Sequence, residues 1–197
     1  MTHKKDSAHE TAGSFAIRKV ITMPKINIRK ADSGQAGIFA EILCKSWQSA
    51  YSGIIPKDIL AKFTDVETRR RSLEKWMSSG EAVYLLAYCD GTPCGACYIG
   101  VSRDSDCQGD GEIVAIYLLE EYWGCGIGRA LMREAFEVIK AMGLERAILW
   151  VLERNARARR FYEKCGFSPD GASKNSGLGE EIEIRYSAEI SSVLAKI

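Results

Sequence analysis

The stretch Tyr122-Trp-Gly-Cys-Gly-Ile-Gly-Arg129 decides how this chain is read. Three glycines alternate, at 124, 126 and 128, between an apolar run ending at Leu119 and a segment of helical periodicity beginning near Ile127. Glycine lets backbone N–H groups approach a ligand with no Cβ in the way. A helix N-terminus adds unpaired N–H donors and a partial positive charge, which suits phosphate oxygens. Each charge-assisted hydrogen bond there is worth about 1.5–3 kcal/mol, and Arg129 adds a cation. The competing reading is a tight strand-to-helix turn that holds nothing. A P-loop is excluded, because Gly128 runs into Arg129-Ala130 instead of Lys-Ser/Thr. A Rossmann fingerprint fits weakly: the third glycine deeper in the helix is missing, and Glu153 is an imperfect candidate for the ribose-binding acid.

Outward from this turn the pattern is strand, turn, helix, strand. Glu112 to Leu119 is β-rich. Residues 127–142 place Leu131, Ala135, Phe136, Ile139 and Met142 on one helical face, and Gly143 ends the helix. Ala147 to Val151 is a short apolar run, as expected of the buried second strand of a parallel βαβ unit. Asn155 is a favourable N-cap for a helix with Ala158, Phe161, Tyr162 and Cys165 on one face. Residues 167–189 read as two strands around the glycine-rich loop 174–179. Upstream, Ile26 to Arg29 alternates as a strand. Asp32 or Ser33 caps a helix carrying Ile38, Phe39, Ile42, Leu43 and Trp47, and Gly53-Ile-Ile-Pro56 breaks it. Helices are expected at 57–63 and 66–78. A hairpin follows, from Ala82 to Gly100, turning at Asp90-Gly91. The whole is a single mixed α/β domain over 23–190, with a polar tail at 1–22, a second start available at Met23, and a short tail at 191–197.

Composition removes several classes of function. The chain has 197 residues, enough for one full core, and no apolar run long enough to span a membrane. Lys plus Arg is 27 against 26 for Asp plus Glu, which argues against bulk binding to nucleic acid but not against a local anion site. Both histidines, His3 and His9, lie in the polar tail, so histidine-dependent hydrolases and metalloproteases are set aside. The seven cysteines, with no apolar signal region, point to reduced thiols and a cytoplasmic location. Cys94-Gly-Ala-Cys97 has zinc spacing but lacks a second ligand pair, so no metal is expected.

Residues 112–167 resemble the GNAT superfamily of acyl-CoA N-acyltransferases, whose signature is Arg/Gln-x-x-Gly-x-Gly/Ala. Here Trp123 replaces Arg/Gln before Gly124-Cys-Gly126-Ile-Gly128. Ala115-Ile-Tyr-Leu118 looks like the family's fourth strand. Asn155-Ala156 with Phe161-Tyr162-Glu-Lys-Cys-Gly-Phe167 looks like the helix beside the acyl-CoA thiol. Ser46-Trp-Gln-Ser-Ala-Tyr51 is similar to the first-helix region of many bacterial members, and the resemblance covers about residues 24–188. It implies a central, mostly antiparallel sheet with one parallel βαβ unit for the cofactor, flanked by helices.

The resemblance further implies a division of roles. Backbone N–H groups from Cys125 through Gly126, Ile127, Gly128 and Arg129 to Ala130 would hold the pyrophosphate of acetyl-CoA, with Trp123 and Gly124 opening the turn. Main-chain groups of Ile116, Tyr117 and Leu118 would pair with the pantetheine arm, and an N–H near Leu118 would stabilise the developing oxyanion. Asn155 is read both as a helix cap and as a contact to the cofactor. Tyr162 is read both as a core aromatic and as the acid that protonates the departing thiolate. Glu112, eleven residues before Trp123, is read both as a solvated strand-end acid and as the base that takes the acceptor's proton. Trp47 and Tyr51 would line the acceptor pocket. Of Arg154, Arg157, Arg159 and Arg160, one is a candidate for the CoA 3′-phosphate and the rest for a solvated face, with Arg159–Glu163 an i,i+4 pair.

The reading that results is a cytoplasmic acetyl-CoA-dependent N-acetyltransferase. It acts on a primary amine of a small molecule or peptide by direct attack, without metal, nucleic acid or membrane, and a homodimer is compatible with the family. The rivals are a non-catalytic acyl-CoA-binding module of the same fold and a nucleotide-dependent oxidoreductase.

Overall fold

A computed structural model describes residues 24–194, and the expected tail at 1–22 lies outside them. The alternating runs form seven strands: β1 (Ile26–Ala31), β2 (Val83–Cys89), β3 (Thr92–Val101), β4 (Gly111–Leu118), β5 (Arg146–Leu152), β6 (Ser168–Asn175) and β7 (Ile182–Glu189). The helices are α1 (Ala36–Tyr51), α2 (Lys57–Phe63), α3 (Val66–Ser79), α4 (Ile127–Ala141), α5 (Ala156–Lys164) and α6 (Ile190–Leu194). The strands make one sheet in the order β1-β2-β3-β4-β5-β7-β6, antiparallel at every junction except β4–β5.

Local chemistry sets the element ends. Asp90 (φ +49) and Gly91 (φ +85) supply the two positive φ angles of a tight hairpin. The Asp32 side chain caps a single 3-10 turn before α1, completing a capping box with Gln35. Asn155 Oδ1 accepts from Ala158 N at 3.1 Å, capping α5. Two expectations need correction. Met142 is the C-cap of α4 and is exposed, not part of its buried face. Residues 191–194, expected within a tail at 191–197, belong to α6, which buries Ile190 and Val193; residues 195–197 lie outside the described residues. An apolar pair three residues apart folds one turn of helix back onto the core.

Two cores flank the sheet. On one face Leu131, Ala135, Phe136 and Ile139 of α4, with Tyr162 of α5, pack on Leu85, Cys97, Ile99, Leu149 and Tyr186. On the other, Phe39, Leu43 and Leu73 of α1 and α3 pack on Tyr84, Leu86 and Ala96. By strand alternation that second face continues over β5 and β7 as Trp150, Leu152, Glu183 and Arg185. There Leu152 packs with Ile55 and Leu178. No described helix is long and apolar enough to cross a membrane.

The β4–β5 junction positions the site. The two strands pair only at Gly111–Ala147 and Glu112–Ile148, then part. Just beyond that point β4 carries a bulge: Ile99 faces Ile113 and Tyr98 faces Ala115, leaving Val114 unpaired. From Ile113 to Leu118 the β5-facing edge of β4 has no ladder partner among the described residues. It opens as one arm of a V toward the glycine turn.

Candidate active site

The glycine turn sits at the mouth of that V. Gly124 (φ +80) and Gly126 (φ +83) adopt left-handed backbone that L side chains rarely enter, and a Cβ on either would meet open space. Gly126 is the N-cap of α4. Gly128 does something different: a Cβ there would stand 3.3 Å from the Phe161 ring, so its bareness lets α4 and α5 approach. Among the described residues, the amides of Gly124 through Arg129 donate to no turn or cap carbonyl, whereas Ala130 N donates to Gly126 O at 3.1 Å. Ala130 thus spends its amide inside the helix and leaves the expected cradle. An open groove of about 490 Å³ continues from the turn, lined by Ile26, Ile28, Gly126, Arg129 and Arg133 among others. It offers two guanidinium groups beside the free amides.

Trp123 does not simply leave a gap where the signature places a polar side chain. Its Nε1 donates to Leu118 O at 3.1 Å, tying the turn to the end of β4. Arg157 stacks on its ring at 3.6 Å from the centroid. Of the remaining arginines of that cluster, Arg154 and Arg160 are exposed, as a solvated face requires, and Arg159 is half-buried. Arg154 pairs with Glu181 at 2.8 Å. Arg159 does not pair directly with Glu163: it donates to the Tyr186 hydroxyl at 3.1 Å, and that hydroxyl donates to Glu163 at 2.9 Å.

Tyr162 is buried beneath the V, within 5.5–6.4 Å of the rings of Phe161, Phe167 and Tyr186. Burial pushes its phenol well above the ordinary value, and Tyr117, Cys97 and Cys165 are its charged-state neighbours. Tyr51 and Tyr117 are half-buried as residues but keep their hydroxyl ends in the interior. Burial raises both phenols, their hydroxyls influence each other, and Tyr51 also feels Tyr162 and Glu183. Trp47 stacks on Phe63 at 5.4 Å and meets Tyr51 edge-on at 5.0 Å. Its Nε1 is buried without an acceptor in hydrogen-bond geometry. Ile116, Tyr117 and Leu118 lie on β4 beyond the point where its pairing with β5 ends. Asn155 is buried and spends its side-chain oxygen on the cap of α5.

Glu112 departs from the solvated reading. It is 3% exposed, at the closed end of the V, and both its oxygens accept from Arg103, at 2.6 and 3.0 Å. A second charged network ties the same loop to the sheet: Arg185 Nη atoms reach Asp104 and Asp106 at 3.1 and 2.7 Å, and its Nε reaches Asp170 at 2.8 Å. Arg103, Glu183 and Arg185 are not among the candidates the sequence singles out. The one local signal was the alternation Ile182-Glu-Ile-Arg, which puts two charges on one face of a strand. Cys94 and Cys97 are buried in β3, and among the described residues no three His, Cys, Asp or Glu side chains gather as for a metal.

The described fold is thus a mostly antiparallel sheet split between two parallel strands, with a glycine turn at the split. The chain belongs to the acetyltransferase (GNAT) family, whose profile matches residues 42–167, and it is an acyltransferase of that family. It is 30% identical to the uncharacterized N-acetyltransferase YuaI of Bacillus subtilis, over 77% of this chain and 84% of that one. It is 25% identical to a spermidine N(1)-acetyltransferase of Thermoplasma acidophilum, over 79% and 96%. The crystal structure of PaiA N-acetyltransferase from T. acidophilum in complex with coenzyme A shares the fold, with a TM-score of 0.66 at 23% identity over 82% and 98%.

Proposed function

We propose that this chain transfers an acetyl group from acetyl-CoA to a primary amine of a small molecule or peptide by direct attack. The observation that carries this is the row of free amides from Gly124 to Arg129 at the mouth of the V. In this reading Cys125, Gly126, Ile127, Gly128 and Arg129 hold the pyrophosphate, and Arg129 and Arg133 serve the groove beyond it. Main-chain groups of Ile116, Tyr117 and Leu118 align the pantetheine arm and thioester. Much of the acceleration then comes from proximity and orientation. Asn155 acts by fixing the start of α5, which carries Tyr162 to the sulfur.

Tyr162 supplies the proton to the departing thiolate, since a phenol raised by burial stays protonated at neutral pH. Trp47 and Tyr51 form the wall against which the acceptor packs. Glu112, with both oxygens held by Arg103, anchors the loop after β3. Support for an amine acceptor comes from the relative named for spermidine. The test is a turnover screen of acetyl-CoA against a mixed amine library, with the product identified by mass spectrometry. One acetylated amine, formed only with enzyme, is expected. Coenzyme A binding without any product would refute the reading.

A further inference from the structure

An acceptor with a lysine-like pKa near 10.4 is neutral in only about one molecule in 2,500 at pH 7. Direct attack therefore needs a group that takes a proton beside the thioester. Glu112 is engaged by Arg103, and the second face of the sheet carries another carboxylate.

Glu183 meets the requirement. It lies on β7, an interior strand, opposite Leu152 of β5 and Lys174 of β6. Counted from the Glu112–Ile148 pair and allowing for the bulged Val114, Leu152 stands level with Tyr117 across the open V. Glu183 is thus one strand further at the same level, on the face that carries Leu152 and near the Tyr51 hydroxyl. It is half-buried, and among the described residues its carboxylate enters no hydrogen bond or ion pair. The cations around it are otherwise used. Arg103 holds Glu112, Arg185 holds three aspartates, and Lys174 sits over the Trp150 ring at 3.8 Å. Burial raises its carboxyl above the ordinary value. Lys174 on β6 and Arg103 on the loop after β3 oppose that rise, and Glu112 on β4 adds to it. The Tyr51 phenol on α1 feels its charge.

Resting on the proposed transferase reading, we infer that Glu183 is the catalytic residue that receives the acceptor's ammonium and takes its proton, so that the acceptor is a cationic primary amine whose body lies against Tyr51. An N–H bond of the ammonium breaks and its proton passes to a Glu183 oxygen. The freed lone pair forms the N–C bond to the acyl carbon of the thioester, and the C–S bond breaks. The sulfur takes the Tyr162 proton, and the phenolate recovers one from the nitrogen. The proton on Glu183 leaves to water, so each turnover yields amide, thiol and one proton.

The test compares wild type with Glu183→Gln, Glu183→Asp and, as a control on the same strand, the exposed Glu189→Gln. The probes are spermidine, phenethylamine and β,β-difluorophenethylamine, whose amine is far less basic. Coenzyme A affinity is measured by calorimetry on every variant. Glu183→Gln is expected to lose about 100-fold or more in kcat/KM for the cationic amines, to lose much less for the difluoro analogue, and to keep coenzyme A affinity. Wild-type kcat/KM rises through an acid limb above the ordinary carboxylate range, and Glu183→Gln lacks that limb. Glu183→Asp restores part of the rate and all of the limb, and Glu189→Gln matches wild type. If Glu183→Gln stays within threefold of wild type, or loses equally on basic and weakly basic amines, the role of Glu183 is overturned while the transferase reading stands. A wild type that binds coenzyme A but acetylates no amine overturns both.

Discussion

Replacing Tyr162 by Phe removes one oxygen and leaves every ring contact of α5 in place. Tyr162 is 8% exposed, and Phe161, Phe167 and Tyr186 surround its ring, which Phe reproduces. Its hydroxyl donates to no side chain or carbonyl among the described residues, so the fold loses no hydrogen bond. The stability change is then within about 1 kcal/mol, or about 2–4 °C in Tm for a domain of this size. Catalysis responds differently. Positioned acids contribute about 10²–10⁴-fold. A phenol raised by burial keeps its proton through neutral and mildly alkaline pH but is a weak acid against a thiol of ordinary pKa near 8.5. The lower part of that range applies: kcat falls about 10²–10³-fold, near 3–4 kcal/mol in barrier. The assay follows coenzyme A release by chromatography, with coenzyme A affinity by calorimetry and Tm by scanning calorimetry on the same samples. A kcat within threefold of wild type would refute the role, and a fall in Tm beyond about 10 °C would make Tyr162 a packing residue.

Three further outcomes follow from the geometry. Gly126→Ala forces a Cβ into left-handed backbone at a strain of about 1–2 kcal/mol. Coenzyme A affinity, read by calorimetry, should therefore drop about tenfold while the far-UV spectrum is kept. Trp123→Phe keeps a ring under Arg157 but loses the hydrogen bond to Leu118 O, about 0.5–1.5 kcal/mol. The expected reading is a KM for acetyl-CoA raised about 2- to 10-fold with kcat nearly unchanged. Hydrogen bonds from Arg185 hold the Asp106 carboxyl down to about 2. Because this folded pKa lies below the unfolded value near 3.9, its stabilising effect is present above that value and is lost as pH falls toward 2. An acid titration of Tm should show this loss in wild type and a smaller one in Asp106→Asn.

The glycine turn, the Asp90-Gly91 hairpin and the Asn155 cap were legible because each is decided by a few adjacent residues. So was the strand–turn–helix–strand order around them. What escaped was settled by residues far apart in sequence. Arg103 and Glu112 meet only because β3 and β4 form a hairpin around a nine-residue loop. The Tyr186 phenol comes between Arg159 and Glu163 because β7 inserts beside β5, ahead of β6. Glu183 looks like an ordinary outward strand acid until that insertion places it in the interior of the sheet. Three alternating glycines suggest one shared purpose, yet only Gly124 and Gly126 need left-handed backbone, while the bareness of Gly128 also makes room for Phe161, which no local pattern announces.

The most direct measurement is an isothermal titration of the purified, folded chain with coenzyme A, alongside the Gly126→Ala variant and NADP as a rival ligand. Saturable one-site binding of coenzyme A that weakens in the variant, with no heat from NADP, is the predicted result. An absence of coenzyme A binding, or affinity indifferent to residue 126, would contradict the assignment of bare amides at the start of α4 to the diphosphate.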